Sequence, residues 1–149
     1  MPLIQGFHIS PLIPVDLRYQ RTDKPTDEDL EYFRRMKKEG PIVPPPFSWR
    51  TQLRAILTKV TCDFFGLKGD DVSCVFPHDP SVPTNPPPIA ALSVSFLYRE
   101  PERTPERVKE YRLALGKACK EFLDRLRGTR DARVEVKTEL CDPEDVDTF

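Results

Sequence analysis

The richest chemistry in this sequence lies in the run Tyr98-Arg99-Glu100-Pro101-Glu102-Arg103-Thr104-Pro105-Glu106. The planar guanidinium forks of Arg99 and Arg103 can grip a carboxylate two-pronged. They stand just ahead of a helix amino terminus, where free N–H groups and the helix dipole favour an anion. A small acidic substrate needs such a cation to anchor it. The competing reading is that both arginines pair with Glu100, Glu102 or Glu106 on the surface. Tyr98 could donate a hydrogen bond to a substrate carbonyl, although its place in an apolar alternation equally suits packing. Asp71 sits in Gly69-Asp70-Asp71, where an aspartate does ordinary turn chemistry.

Other reactive groups are sparse. The four cysteines, Cys62, Cys74, Cys119 and Cys141, stand singly with no CxxC spacing. All but Cys141 fall inside apolar helix or strand patterns, which points to reduced, mostly buried thiols. Cys74 with His78 is the one local pair that could touch a metal, and two ligands do not make a zinc site. His8 lies within the first strand and reads as a structural histidine. No metal or cofactor is expected.

At 149 residues the chain suits a single domain. Charged residues make up 32% with a net charge of -1, and the two signs are interspersed, so nothing asks for nucleic acid. No apolar run approaches the roughly 20 residues that span a bilayer, and MPLIQGFHIS lacks the regions of a signal peptide. A cytosolic protein without membrane contact is the expectation. The 17 prolines cluster at 41–46 and 77–88. These runs read as rigid connections between elements, with ligands for a proline-binding domain as the alternative.

The elements that must position these residues follow from periodicity. Leu3 to Ser10 reads as a strand with Leu3, Phe7 and Ile9 on one face, ended by Pro11 and Pro14. Residues 14–47 read as an insertion holding one polar helix, from a cap at Thr26 to Gly40, with a thin stripe of Leu30, Phe33 and Met36. Ser48 caps a second helix whose Trp49, Leu53, Ile56, Leu57, Val60 and Phe64 share a face, closed by Gly66. A short strand from Val72 to Phe76 completes a βαβ unit.

The second half repeats this plan. Ala90 to Tyr98 is a strand with Leu92, Val94, Phe96 and Tyr98 on one face. Thr104, Pro105 and Glu106 start a helix that buries Val108, Tyr111, Leu115, Cys119, Phe122 and Leu126 and ends at Gly128. Val134, Val136, Thr138 and Leu140 alternate with charged residues in a last strand, and a short acidic tail occupies 141–149. Two βαβ units give an α/β (α+β) fold, with a four-stranded mixed sheet and both long helices on one face. The other sheet face must find cover, so a homo-oligomer is expected.

Together these features resemble the tautomerase superfamily, which includes 4-oxalocrotonate tautomerase, malonate semialdehyde decarboxylase, cis-3-chloroacrylic acid dehalogenase and macrophage migration inhibitory factor. Besides the shared plan, MPLIQ opens a strand directly after Met1. The third strand runs out into FLYREPERTPE, similar to the arginine-rich strand-to-helix junction of the decarboxylase and the dehalogenase. The resemblance spans roughly residues 2–10 and 48–140, not the insertion or the tail.

The resemblance implies that Met1 is removed and that Pro2, as the free terminal amine, is the general base. An α-amine starts near a pKa of about 7.7 to 8.0, and an apolar pocket or nearby arginines disfavour its charged form. A neutral amine can then move a proton beside a carbonyl. Arg99 and Arg103 would hold the substrate carboxylate. YREPER is one residue longer between its arginines than the relatives, so either could face the pocket. Asp71 stands where the decarboxylase has a water-orienting or carboxylate-repelling aspartate. The dehalogenase-type histidine of the first helix is absent and Phe64 takes its place, which argues against water-adding dehalogenation. The implied activity is a tautomerase or isomerase of a small oxo or unsaturated carboxylic acid, in a trimer by analogy. A decarboxylase of a small oxo acid and a non-catalytic oligomeric binding protein remain as alternatives.

Overall fold

β1 (Leu3–Phe7) is followed, beyond the insertion, by α1 (Trp49–Phe65) and β2 (Ser73–Val75). β3 (Ala90–Tyr98), α2 (Pro105–Arg127) and β4 (Val134–Cys141) then repeat the strand-helix-strand plan. The structure is a computed structural model that describes residues 2–14, 49–77 and 89–142, together with positions 30, 31, 34, 35 and 38 of the insertion. Those insertion positions are helical and exposed, Leu30 among them, while Phe33 and Met36 lie outside the described residues. Thr26, Gly40, Ser48, His78, the proline runs apart from Pro77, and the acidic tail beyond Asp142 lie outside the described residues.

The sheet is four-stranded, in the order β2-β1-β3-β4. β1 and β2 are parallel, β3 and β4 are parallel, and the two units meet along the antiparallel pair β1/β3. Each parallel pair needs a helical crossover, and α1 and α2 supply them. Both helices share one core with the sheet, in which Ile4, Cys74, Leu92 and Val94 meet Leu53, Leu57, Tyr111 and Leu115. Burying each large apolar side chain contributes about 1.5–3 kcal/mol.

The fully buried stripe of α1 is Trp49, Leu53, Leu57 and Thr61, one residue per turn, with Ile56, Val60 and Phe64 flanking it half-buried. Thr61 is the polar member that apolar patterning misses. Its hydroxyl donates to the Leu57 carbonyl at 2.9 Å, which leaves its oxygen to accept from the Tyr111 phenol of α2 at 2.8 Å. Both buried groups are thereby satisfied. Burial pushes the Tyr111 phenol up to about 12, so this bridge between the helices keeps its proton.

α2 has the expected boundaries. The Thr104 hydroxyl accepts from the Arg107 N–H at 3.2 Å, Pro105 fills the first turn, and Gly128 closes the helix at φ 70°. Beyond it, Asp124 accepts from Lys120 at 2.8 Å and from the Ala132 N–H at 3.0 Å, tying the turn back onto the helix before β4.

Two strand faces differ from expectation, each at a non-glycine residue with positive φ. In β1 the buried positions are Ile4 and Gly6, whereas Leu3 and Phe7 lie half-buried on the opposite face. Gly6 is required there because a Cβ would come within 2.7 Å of both Ile9 and Phe76. His8, at φ 58°, then reverses the alternation, and Ile9 enters the core from outside the strand. In β3 the alternation holds through Val94 and then breaks. Phe96 takes φ 57°, the pairing with β4 shifts register between Val94 and Leu97, and Leu97 enters the core instead of Phe96.

Candidate active site

Strand direction decides what meets at each end of the sheet. β1 and β2 start, and β3 and β4 finish, at the same end, where α1 also ends and α2 begins. Pro2, Asp71, Tyr98, Arg99 and Arg103 all fall at this end. Pro2 is buried immediately before β1, and its carbonyl accepts the Ser73 N–H of β2 at 3.0 Å. A residue held this way does not fray from the sheet.

The two arginines have separate fates. Arg99 prolongs the β3/β4 ladder, its N–H donating to the Cys141 carbonyl at 2.9 Å. Its side chain is 61% exposed and lies 3.6 Å from the Asp142 carboxylate. An ion pair that open to water is weak. Glu100 to Arg103 then form a turn with Pro101 at its second position, closed by the Arg103 N–H on the Glu100 carbonyl at 2.9 Å.

The Arg103 side chain is only 7% exposed and lies 3.7 Å from Glu100. Its guanidinium donates to the Tyr98 carbonyl and stacks 5.1 Å over the Phe65 ring. Arg107 does the matching job one turn along α2. It lies 3.9 Å over Phe64 and donates to the Phe64 carbonyl at 3.1 Å, one of the acceptors left open in the last turn of α1. Arg103 and Arg107 therefore clamp the end of α1 to the start of α2.

Tyr98 is half-buried. Asp71 is exposed, and its carboxylate accepts the Lys68 N–H at 3.1 Å while its own N–H donates to the Lys68 carbonyl at 2.9 Å. It thus holds the Gly69–Asp71 turn that feeds β2.

Neither buried cysteine offers a nucleophile. Burial pushes the thiols of Cys74 and Cys119 up to about 12, and burial together with Asp63 raises that of Cys62. Such thiols stay protonated and unreactive near neutral pH. Among the described residues no group of three or more His, Cys, Asp or Glu could hold a metal, and no helix is long and apolar enough to cross a membrane.

Sequence reading missed two features of this end. One is the aromatic platform of Phe64 and Phe65 beneath Arg107 and Arg103. Its signal was the unusual pairing of two bulky aromatics at a helix end, only one of which the helical face uses. The other is the bulge at Phe96. There the sequence Ser93-Val94-Ser95-Phe96-Leu97-Tyr98 abandons alternation for three large side chains in a row, which is what an extra residue in a strand looks like.

No protein-family model matches the sequence, and no curated protein matches it. The likeness to other proteins is structural. A fused wild-type 4-OT (Q0), described as a symmetric trimer, superposes with a TM-score of 0.51 at 13% identity, covering 98% of this chain and 90% of the other. N1, a member of the cis-3-chloroacrylic acid dehalogenase (cis-CaaD) family, superposes with a TM-score of 0.51 at 10% identity, covering 99% of this chain and 80% of the other. Likeness at such low identity shows the fold alone.

Proposed function

On the tautomerase-superfamily fold that this chain adopts, we propose that it is an enzyme moving a proton on a small oxo or unsaturated carboxylic acid, with Pro2 as general base. The observation that supports this reading is the placement of Pro2. It is buried at the head of β1, at the end of the sheet where β3 delivers Arg99.

With Met1 removed, the nitrogen of Pro2 is a secondary amine. It takes a proton from the carbon beside the substrate carbonyl, and the electrons of that C–H bond become an enolate. The ammonium then returns the same proton to another atom of the delocalised system, so the reaction is an isomerisation with no net proton change. Arg99 holds the carboxylate, being exposed and only weakly engaged. Arg103 holds the turn that directly follows Arg99. The Tyr98 hydroxyl donates to the carbonyl oxygen as charge develops there. Asp71 fixes the start of β2 and takes no proton in this scheme.

The test is to incubate the purified protein with a small acetylenic carboxylic acid near neutral pH and then map the adduct by intact and peptide mass. Loss of Met1 with a single adduct on Pro2 is the expected result. Retention of Met1, which would make the nitrogen an amide, or labelling confined to cysteines would sink the proposal.

We further infer that the sheet face away from the helices, carrying Leu3, Phe7 and Val75, is covered by further copies of this chain. Val75 is 40% exposed, and Leu3 and Phe7 are half-buried. Apolar surface of this kind favours association. Light scattering should give a mass of several chains, three by analogy with the trimeric 4-OT. A single-chain mass would remove the inference.

A further inference from the structure

Between α2 and β4 runs a groove that the proposed chemistry does not use. β4 is the outermost strand of the sheet, and the groove beside it has a volume of about 490 Å³, within the usual range for small-molecule sites. Its floor is apolar. Gly116 lets the helix lie close on the strand, since a Cβ there would come within 3.1 Å of Val136. Val134 and Leu113 extend the apolar track, and Leu113 is left 65% exposed.

The walls are cationic. Lys109, Arg112, Lys117 and Lys120 line the groove and no acidic side chain does, a local excess in a chain of net charge -1. Lys117 and Lys120 are each matched by an acid four residues on, Glu121 at 3.9 Å and Asp124 at 2.8 Å. Lys109 and Arg112 make no ion pair among the described residues, and Arg112 is met only by the Thr138 hydroxyl at 2.9 Å. Like charges one turn apart on a helix repel. An anion between them relieves that repulsion and gains charge-assisted hydrogen bonds.

The rest of the groove says what the anion is attached to. Arg112 stands level with Thr138, and the track runs four residues from there to Val134, about 13 Å at the rise of a strand. Lys120 closes the far end, its ammonium engaged by Asp124 and by the Arg130 and Ala132 carbonyls. One uncompensated cationic pair at the head of one apolar track complements a single anionic headgroup on a single hydrocarbon chain. A peptide of several acids would find no second such pair, because Lys117 and Lys120 already have carboxylates. We propose that this groove binds a medium-chain monocarboxylate, with its carboxylate between Lys109 and Arg112 and its chain along Leu113, Gly116 and Val136. The assignment does not depend on the reading of Pro2.

Calorimetric titration of the full chain with decanoate, decanol and acetate tests it. Decanoate should bind about tenfold or more tightly than decanol, which has the chain without the charge, and than acetate, which has the charge without the chain. Lys109→Gln and Arg112→Gln should each weaken decanoate binding about tenfold. If Arg112→Gln does not fold, Leu113→Glu, at an exposed position, offers Lys109 a carboxylate four residues on and should abolish binding with the thermal midpoint unchanged or raised. Arg99→Ala should leave the affinity for decanoate as it is, which separates this groove from the candidate active site. Equal affinity for decanol overturns the role of the cations, and loss of binding in Arg99→Ala but not in Lys109→Gln moves the ligand elsewhere and overturns the site. Binding of hexaglutamate but not decanoate would make the groove a docking face for an acidic peptide. No binding of any probe, with Leu113→Glu lowering the oligomeric mass, would give it to a second copy, and either result overturns the proposal.

Discussion

Pro2→Ala should lower kcat/KM for the enolisation of a small 2-oxo acid by about a hundredfold or more, the usual worth of a positioned general base, with little change in thermal midpoint. The two halves of this expectation come from different atoms of the residue. The carbonyl of residue 2 accepts the Ser73 N–H at 3.0 Å, and alanine keeps it. The junction of β1 with β2 therefore survives. What alanine lacks is the ring that fixes φ and with it the direction of the nitrogen lone pair. A primary amine on a freer backbone still titrates but no longer waits at the reacting carbon, and misplacement by about 1 Å is enough to cost two orders of magnitude. Steady-state kinetics beside a calorimetric melt checks both halves. Unchanged kcat/KM would exclude Pro2 as the base. A collapse of the midpoint would mean that the residue serves the fold first.

What sequence reading recovered and what it missed have one physical cause. Periodicity reports the average direction of side chains along an element, so α2 was legible down to its Thr104 cap and Gly128 stop, and the two-unit plan followed from the order of elements. Periodicity fails wherever one residue resets the alternation. His8 and Phe96 both do so by taking positive φ: His8 separates Ile9, which enters the core, from the face of Leu3 and Phe7, and Phe96 gives its expected core place to Leu97. Within β1 itself Ile4 rather than Leu3 and Phe7 fills the core, because Leu3 to Phe7 carries apolar residues on both faces and their alternation alone does not say which face is buried. In β3 the reset put Leu97 rather than Phe96 in the core. The arginines show a second limit. Their spacing in sequence is symmetric with respect to chemistry, and what distinguishes them is the packing of Arg103 over Phe65 and onto the Tyr98 carbonyl while Arg99 stays exposed.

That distinction makes the two arginines separable by experiment. Arg99→Ala should raise KM for a carboxylate substrate about ten- to a hundredfold, the loss expected for a charge-assisted hydrogen-bonded contact, and should barely move the midpoint. Its ionic partner Asp142, at 3.6 Å, is half exposed, and such surface pairs contribute about 1 kcal/mol at most. Arg103→Ala should behave in the opposite sense. Removing a side chain that is 7% exposed strips a donor from the Tyr98 carbonyl and a cation from the Phe65 face. Together these are worth about 2–3 kcal/mol, or roughly 4–12 °C in a domain of this size. Arg103→Lys should recover little of that loss, because an ammonium keeps the charge without the planar fork that serves carbonyl and ring together. Denaturation and kinetics on the three variants decide the matter. If Arg103→Ala raises KM without loss of stability, Arg103 is the anchor and the clamp between the helices is incidental. If Arg99→Ala alone raises KM, the buried arginine acts by positioning the turn that presents the exposed one.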